Sequence, residues 1–119
     1  MEETFLQGYI TAALWSSVDD TEDPMDSNYD ASDISTETLE QMERDCEAFQ
    51  LDNKKLYIDN GWSNGYAGHD FWLTRNHHGC GFWDRDFANK KIGKLLTNKA
   101  EAFGEFNLYI GDDNLIYGC

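Results

Sequence analysis

Apolar residues recur at a helical interval at the start of the chain. Phe5, Leu6, Tyr9, Ile10, Ala13 and Leu14 fall at i, i+1, i+4 and i+5, one stripe on a helix over 3–15. The pattern then stops. Residues 16–34 carry no helical or strand period, and Asp19, Asp20, Glu22, Asp23, Asp26, Asp30 and Asp33 crowd around the single proline, Pro24. This predicts an acidic, mobile loop between two helices. The stripe resumes with Leu39, Met42, Cys46 and Phe49, spaced 3, 4 and 3. Ser35 is the expected N-cap, Glu37 suits the first turn, and Ile34 with Leu39 fits a hydrophobic staple. Glu40, Glu43 and Glu47 then point to solvent. Leu56 and Tyr57 can extend the helix until Asn60-Gly61 stops it.

The texture changes after Gly61. Residues 62–68 read as a Gly-rich aromatic loop. Alternation over 69–74 and 81–85 predicts two strands of a hairpin, with residues 75–80 as its turn and Asn76 and Gly79 suited to unusual backbone angles. Ile92, Leu95, Leu96, Ala100 and Phe103 mark a helix over 89–103 that Gly104 ends. Two short strands, 106–110 and 115–117, flank the turn Gly111-Asp112-Asp113-Asn114. The predicted order is ααββαββ. The fold class is α+β, with helices packed on a small antiparallel sheet of about four strands. At 119 residues, 1–119 reads as a single domain.

Charge divides the chain where hydropathy does. Residues 1–53 hold 15 of the 23 acids and one base, Arg44, while the remainder has eight of each, so the net −14 belongs to the first half. Such a surface disfavours nucleic-acid phosphates and anionic membranes as ligands and favours a basic partner. No apolar run spans a bilayer, and the start Met1-Glu2-Glu3 has the wrong sign for a secretory leader. Three cysteines, Cys46, Cys80 and Cys119, form no even framework, so free thiols in a reducing cytosol are expected.

The run Gly68-His69-Asp70-Phe71-Trp72-Leu73-Thr74-Arg75-Asn76-His77-His78-Gly79-Cys80-Gly81-Phe82-Trp83-Asp84-Arg85 resembles a stretch found in small acidic proteins encoded by bacteriophages and plasmids. The helix from Asp33-Ile34 through Asp45-Cys46 to Phe49, and the tail Leu108 to Asp113, look like the same family. The resemblance covers about two-thirds of the chain. It implies a small accessory protein of a mobile element in the host cytosol. It carries no established activity, and so assigns no catalytic or binding residue. Accessory proteins of this kind often bind host proteins, which favours an interaction role by analogy.

The same run contains candidate chemistry. His69, His77, His78 and Cys80, with Asp84, invite a zinc reading, but His77-His78-x-Cys80 is not a standard ligand pair. A catalytic reading takes His69 or His78 as base, Asp70 or Asp84 to orient it, and Arg75 or Arg85 to hold an anion. Ser63, Thr74 and Cys80 are nucleophile candidates without a local signature. The plainer reading is preferred for both. Against the metal, the histidines sit on an exposed turn or cap the sheet by hydrogen bonds; against catalysis, Arg75 and Arg85 pair with Asp70 and Asp84 across the hairpin, and Trp72 and Trp83 stack on the arginine stems. Asp26, Asn28, Asp30, Ser32 and Glu37 occupy positions 1, 3, 5, 7 and 12 of an EF-hand loop, but Ala31 stands where the turn needs glycine. No phosphate-binding loop is present, and Lys90, Lys91, Lys94 and Lys99 form a modest basic face.

The acidic face is open to two readings, a solvated surface that keeps the protein soluble or the contact for a basic host protein; the functional reading is a non-enzymatic interaction protein needing no cofactor, with a basic host protein as partner. The acids expected at the interface are Asp19, Asp20, Glu22, Asp23, Asp26, Asp30, Asp33, Glu37, Glu40, Glu43 and Glu47, with Trp62 and Tyr66 as apolar anchors. The sharpest version is a DNA mimic that blocks a host DNA-binding or defence factor. Phosphates recur about every 3.4 Å along one strand, and helical turns rise about 5.4 Å, so two rows of acids approach that density. The alternatives are a small metal-dependent enzyme or metal-binding module over 69–86, and a virion or oligomeric structural protein.

Overall fold

The computed structural model describes residues 3–119; Met1 and Glu2, on which the leader argument rests, lie outside the described residues. Among the described residues five helices and one two-stranded antiparallel sheet form the fold, in keeping with α+β. The helices are α1 (Phe5–Ser16), α2 (Met25–Asn28), α3 (Thr36–Asp59), α4 (Asn64–Arg75) and α5 (Lys90–Glu101). Short 3-10 turns occupy Ala31–Asp33 and Phe82–Asp84. The strands are β1 (Leu108–Ile110) and β2 (Ile116–Gly118). Among the described residues no helix is long and apolar enough to cross a membrane.

Three of the expected helices form where the pattern puts them. Helix α1 starts at a capping box: the Gln7 amide donates to Thr4 Oγ1 at 3.1 Å, and the Thr4 amide donates to Gln7 Oε1 at 2.8 Å. On α3 the Ser35 hydroxyl accepts from the Thr38 amide at 3.3 Å. Its buried face is Thr38, Met42, Cys46, Phe49, Asn53 and Tyr57, a stripe at steps of three and four. Gly61 ends this helix at φ 106°, a left-handed angle that favours glycine. Helix α5 buries Gly93, Leu96 and Ala100, and Gly104 follows its end at φ 77°.

The middle of the chain departs from the expected hairpin. Residues 69–74 are not a strand but the body of α4, and 81–85 are not its partner but the Phe82–Asp84 turn. The observed order therefore has one C-terminal strand pair where four strands were expected. The reason is burial. Nine of the twelve residues of α4 are buried, so no polar face repeats every 3.6 residues, and a short apolar run does not distinguish helix from strand. Ser63 caps the helix by accepting from the Tyr66 amide at 3.1 Å. Residues 75–78, expected as a hairpin turn, close it instead. The His77 amide donates to the Thr74 carbonyl at 3.1 Å and the His78 amide to the Leu73 carbonyl at 3.0 Å, a Schellman pattern with His77 at φ 58°.

Helix α4 lies at the centre because glycines let α1 reach it. A Cβ on Gly8 would sit 1.9 Å from the Gly65 carbonyl oxygen, and one on Gly68 would sit 1.9 Å from that of Phe5. The two backbones touch, and Phe5, Tyr9, Phe71 and Trp72 interlock around the contact. Phe49 of α3 stacks on Phe71 with ring centroids 4.4 Å apart, and Phe82 packs on the other side of Phe49 at 5.6 Å. Aromatic packing of this kind dominates core energetics.

The C-terminal hairpin forms as expected in kind. It pairs Leu108 with Gly118, Tyr109 with Tyr117 and Ile110 with Ile116. Ile34 adds a parallel bridge to Ile116, and the Ser35 amide donates to the Ile116 carbonyl at 2.9 Å. That contact ties the start of α3 to the sheet.

Candidate functional site

Helix α4 carries two charge pairs, one at its middle through Asp70 and one at its C-terminal end through Arg75. Asp70, with no exposed surface, accepts from Arg85 Nε at 2.9 Å and Trp62 Nε1 at 2.8 Å, and its second oxygen accepts from Arg85 Nη2. Burial pushes the Asp70 carboxyl up, but the hydrogen bonds from Arg85 and Trp62 favour its ionised form. The balance holds it below the usual carboxylate range. The Arg85 guanidinium also lies 4.7 Å from the centre of the Tyr66 ring.

Arg75, only 3 % exposed, anchors the C-terminal end. Its Nη1 donates to Asp45 Oδ2 at 2.8 Å and Tyr9 Oη at 3.0 Å, its Nε to the Gly104 carbonyl at 2.8 Å, and its Nη2 to that of Phe103 at 3.2 Å. The rings of Phe71, Phe103 and Phe106 surround it. One side chain thus links α1, α3, α4 and the carbonyls at the end of α5, where a cation is favoured. Arg85 pairs with Asp70 as expected. Arg75 does not pair with Asp84, which is exposed on its turn, and the guanidinium groups lie over phenylalanines and Tyr66.

Beside the Asp70 pair an open cleft of about 500 Å³ is lined by Glu3, Ser63, Tyr66, His69, Cys80 and Arg85. His69 Nε2 accepts from Trp15 Nε1 at 3.2 Å, and its Nδ1 is buried without a hydrogen-bond partner, 3.9 Å from Asp70 Oδ1. The catalytic candidates are therefore divided. His69 and Asp70 adjoin, but the indole occupies the imidazole nitrogen a base would use. Arg75 is built into the interior, His78 lines a separate hollow with Trp72, and Asp84 faces solvent. The metal candidates are divided too. Only His69 and Cys80 share a cleft; His77 is exposed, 3.4 Å from Glu101. Among the described residues no three His, Cys, Asp or Glu side chains come together in a way that could hold a metal ion. The EF-hand spacing is broken as well, because Met25–Asn28 is a helix and Asn28 donates to Asp19 at 2.9 Å.

The acidic candidates fall into two groups. Asp19 is buried and accepts from the Thr21 hydroxyl at 2.6 Å, the Thr21 amide at 2.8 Å and the Asp23 amide at 3.2 Å, besides Asn28. The Thr21 and Asn28 hydrogen bonds lead in holding its carboxyl at about 2. Asp30 caps the Ala31–Asp33 turn through the Ser32 amide at 2.9 Å, and Asp33 accepts from the Asp30 amide at 2.9 Å. These three organise the 16–34 segment, which carries more structure than an open loop and pins itself to the core through Met25. Asp20, Glu22, Asp23, Asp26, Glu37, Glu40, Glu43 and Glu47 are exposed. Among the described residues none of these eight pairs with a Lys, Arg or His; the cross-half bridge of a surface lysine is Lys99 to Asp52 at 3.5 Å. Arg44 donates to Gln41 at 3.0 Å instead. Glu43 and Glu47, with Glu3, wall a groove of about 420 Å³ floored by Phe5, Leu6 and Cys46. Of the expected anchors, Tyr66 is 39 % exposed, whereas Trp62 is 2 % exposed and belongs to the core.

The Asp45–Arg75 link was missed from sequence. Its signal is an arginine directly after Phe71-Trp72-Leu73-Thr74, a cation with apolar residues on every helical side. The chain matches no family model, no curated protein and no solved structure.

Proposed function

We propose that this chain is a binding protein whose exposed carboxylates on α3 and the 19–33 segment engage a basic protein. The observation that carries this reading is that eight exposed acids lie without a cation among the described residues, while the chain's buried cations are matched to acids. Glu40, Glu43 and Glu47 follow one another at spacings of three and four, where like charges repel and destabilise an isolated helix. Clustered uncompensated charge costs stability and gains steered association with an oppositely charged surface. The groove beside Glu43 and Glu47 adds apolar floor to that charge, and Tyr66 supplies an exposed ring.

The sharpest form is mimicry of duplex phosphates, with a host DNA-binding or defence protein as target. If residues 68–85 belong with phage and plasmid proteins, the partner is a host protein. Affinity capture with the full chain from a host lysate at low salt tests it. The expected result is enrichment of a basic, DNA-binding protein, displaced by added duplex DNA and lost with Glu40→Gln/Glu43→Gln/Glu47→Gln. Recovery of no basic protein at low salt, or equal recovery with the triple variant, refutes the reading.

A further inference from the structure

We propose that His69 is a proton-operated latch on Trp15: the neutral imidazole holds the indole against α4, and protonation lets it go. Trp15 lies in the last turn of α1 and is 42 % exposed, yet its indole N–H is committed to His69 Nε2 at 3.2 Å with the ring centroids 5.7 Å apart. An imidazole nitrogen accepts only when it carries no proton, so this contact fixes the neutral tautomer with its hydrogen on Nδ1. That hydrogen is poorly served. Nδ1 is buried and unpartnered, and the nearest acceptor, Asp70 Oδ1, is 3.9 Å away and already bound to Arg85.

Protonation reverses both relations. Nε2 becomes a donor facing another donor, and the imidazolium gains attraction to the Asp70 carboxylate. Asp70 is ionised throughout the range in which imidazoles titrate, because its carboxyl is held below the usual value despite burial. The other groups facing His69 are Tyr66 from α4, Cys80 and Arg85 from the segment after α4, and Glu3 from the segment before α1. Arg85 opposes a second positive charge, but Asp70 already neutralises it, and Glu3 adds a negative one. Helix α1 itself contributes no charged residue.

Trp15 can leave without disturbing the core. The end of α1 keeps a separate tether, because Trp72 Nε1 donates to Ser16 Oγ at 2.8 Å. Trp15, His69, Tyr66 and Phe87 form a surface strip of rings at successive centroid distances of 5.7, 6.3 and 5.7 Å. Opening the latch detaches the first ring of that strip.

Nuclear magnetic resonance on the full chain tests the latch. The Trp15 indole N–H resonance, assigned with Trp15→Phe, is followed from about pH 8 to 5 beside the His69 ring resonances. The expected result is an upfield movement of the indole signal along a one-proton curve with the same midpoint as His69. In His69→Gln, whose side-chain oxygen accepts at every pH, the signal stays fixed; in His77→Gln and His78→Gln the curve persists. A Trp15 signal that does not move in the unaltered protein overturns the latch, as does a curve that survives in His69→Gln. The midpoint comparison in the unaltered protein decides the matter even if the His69 variant does not fold.

Discussion

Helices α3 and α4 use charge in opposite ways. On α4, Asp70 and Arg75 are interior, and each is met by a partner and several hydrogen bonds. On the exposed side of α3, Glu37, Glu40, Glu43 and Glu47 meet no cation among the described residues. The unusual residues of 68–85 suggest chemistry, yet much of their polarity is spent inside the fold. The ordinary-looking glutamates of α3 are the ones left over. The whereabouts of the counter-charge separates the two helices where residue type alone does not.

The largest effect should come from breaking the interior charges. Arg75→Ala leaves Asp45 without its cation and the Phe103 and Gly104 carbonyls without their donor, and Asp70→Ala leaves Arg85 half-buried and unpaired. Removing one member of a buried pair costs about 3–5 kcal/mol, which a urea denaturation series at unchanged slope would read. Stability losses equal to those of surface variants would contradict the assignment of these pairs to the interior.

The next effect concerns the approach of α1 to α4. Gly68→Ala should cost about 3 kcal/mol, the upper part of the usual overpacking range, because the new Cβ meets backbone that cannot turn aside. Gly104→Ala, where nothing lies near the added atom, should cost less; its strain comes from φ 77° alone. Thermal midpoints of the two variants separate close packing from backbone angle.

Acid pH offers a finer cut. The Asp70 carboxyl lies below its ordinary 3.8 in the folded protein. The contribution of its ionised form is therefore complete above about pH 4 and is lost as pH falls through the folded value. The stability gap between the unaltered protein and Asp70→Asn should not narrow from pH 7 to about 5, where protonation of His69 beside the Asp70 carboxylate can only widen it, and should narrow below about pH 4. A gap that narrows above pH 5 would contradict the depressed value. Asp19, held at about 2, should follow the same direction over the interval between 3.8 and about 2.

These contrasts also mark what was legible in the sequence. Helix α3 could be read from Ser35 to Gly61 because its buried residues repeat on one side and its caps are standard residue types. The C-terminal hairpin could be read from its turn. Helix α4 could not, because Phe71, Trp72, Leu73, Thr74 and Arg75 are all buried and no periodic signal survives. Trp62 failed as an anchor for the same reason: whether a tryptophan is core or surface depends on a partner, here Asp70, that lies eight residues away across a turn. Asp19, Asp30 and Asp33 show the limit of counting charge. Each serves a local turn, and only backbone geometry reveals it.

The smallest expected change in stability is in Glu40→Gln/Glu43→Gln/Glu47→Gln. Relief of like-charge repulsion should leave the protein equally stable or more stable by about 0.2–0.5 kcal/mol per pair at low salt. The same variant gives the most direct test of the claim that the α3 face is uncompensated. The thermal midpoint is measured in sodium chloride from about 0.01 to 1 M, over which the screening length falls from about 30 to 3 Å. The account predicts that the midpoint of the unaltered protein rises with salt and that the triple variant rises less. A midpoint that is flat or falls with salt, or one that climbs equally in both proteins, would contradict it.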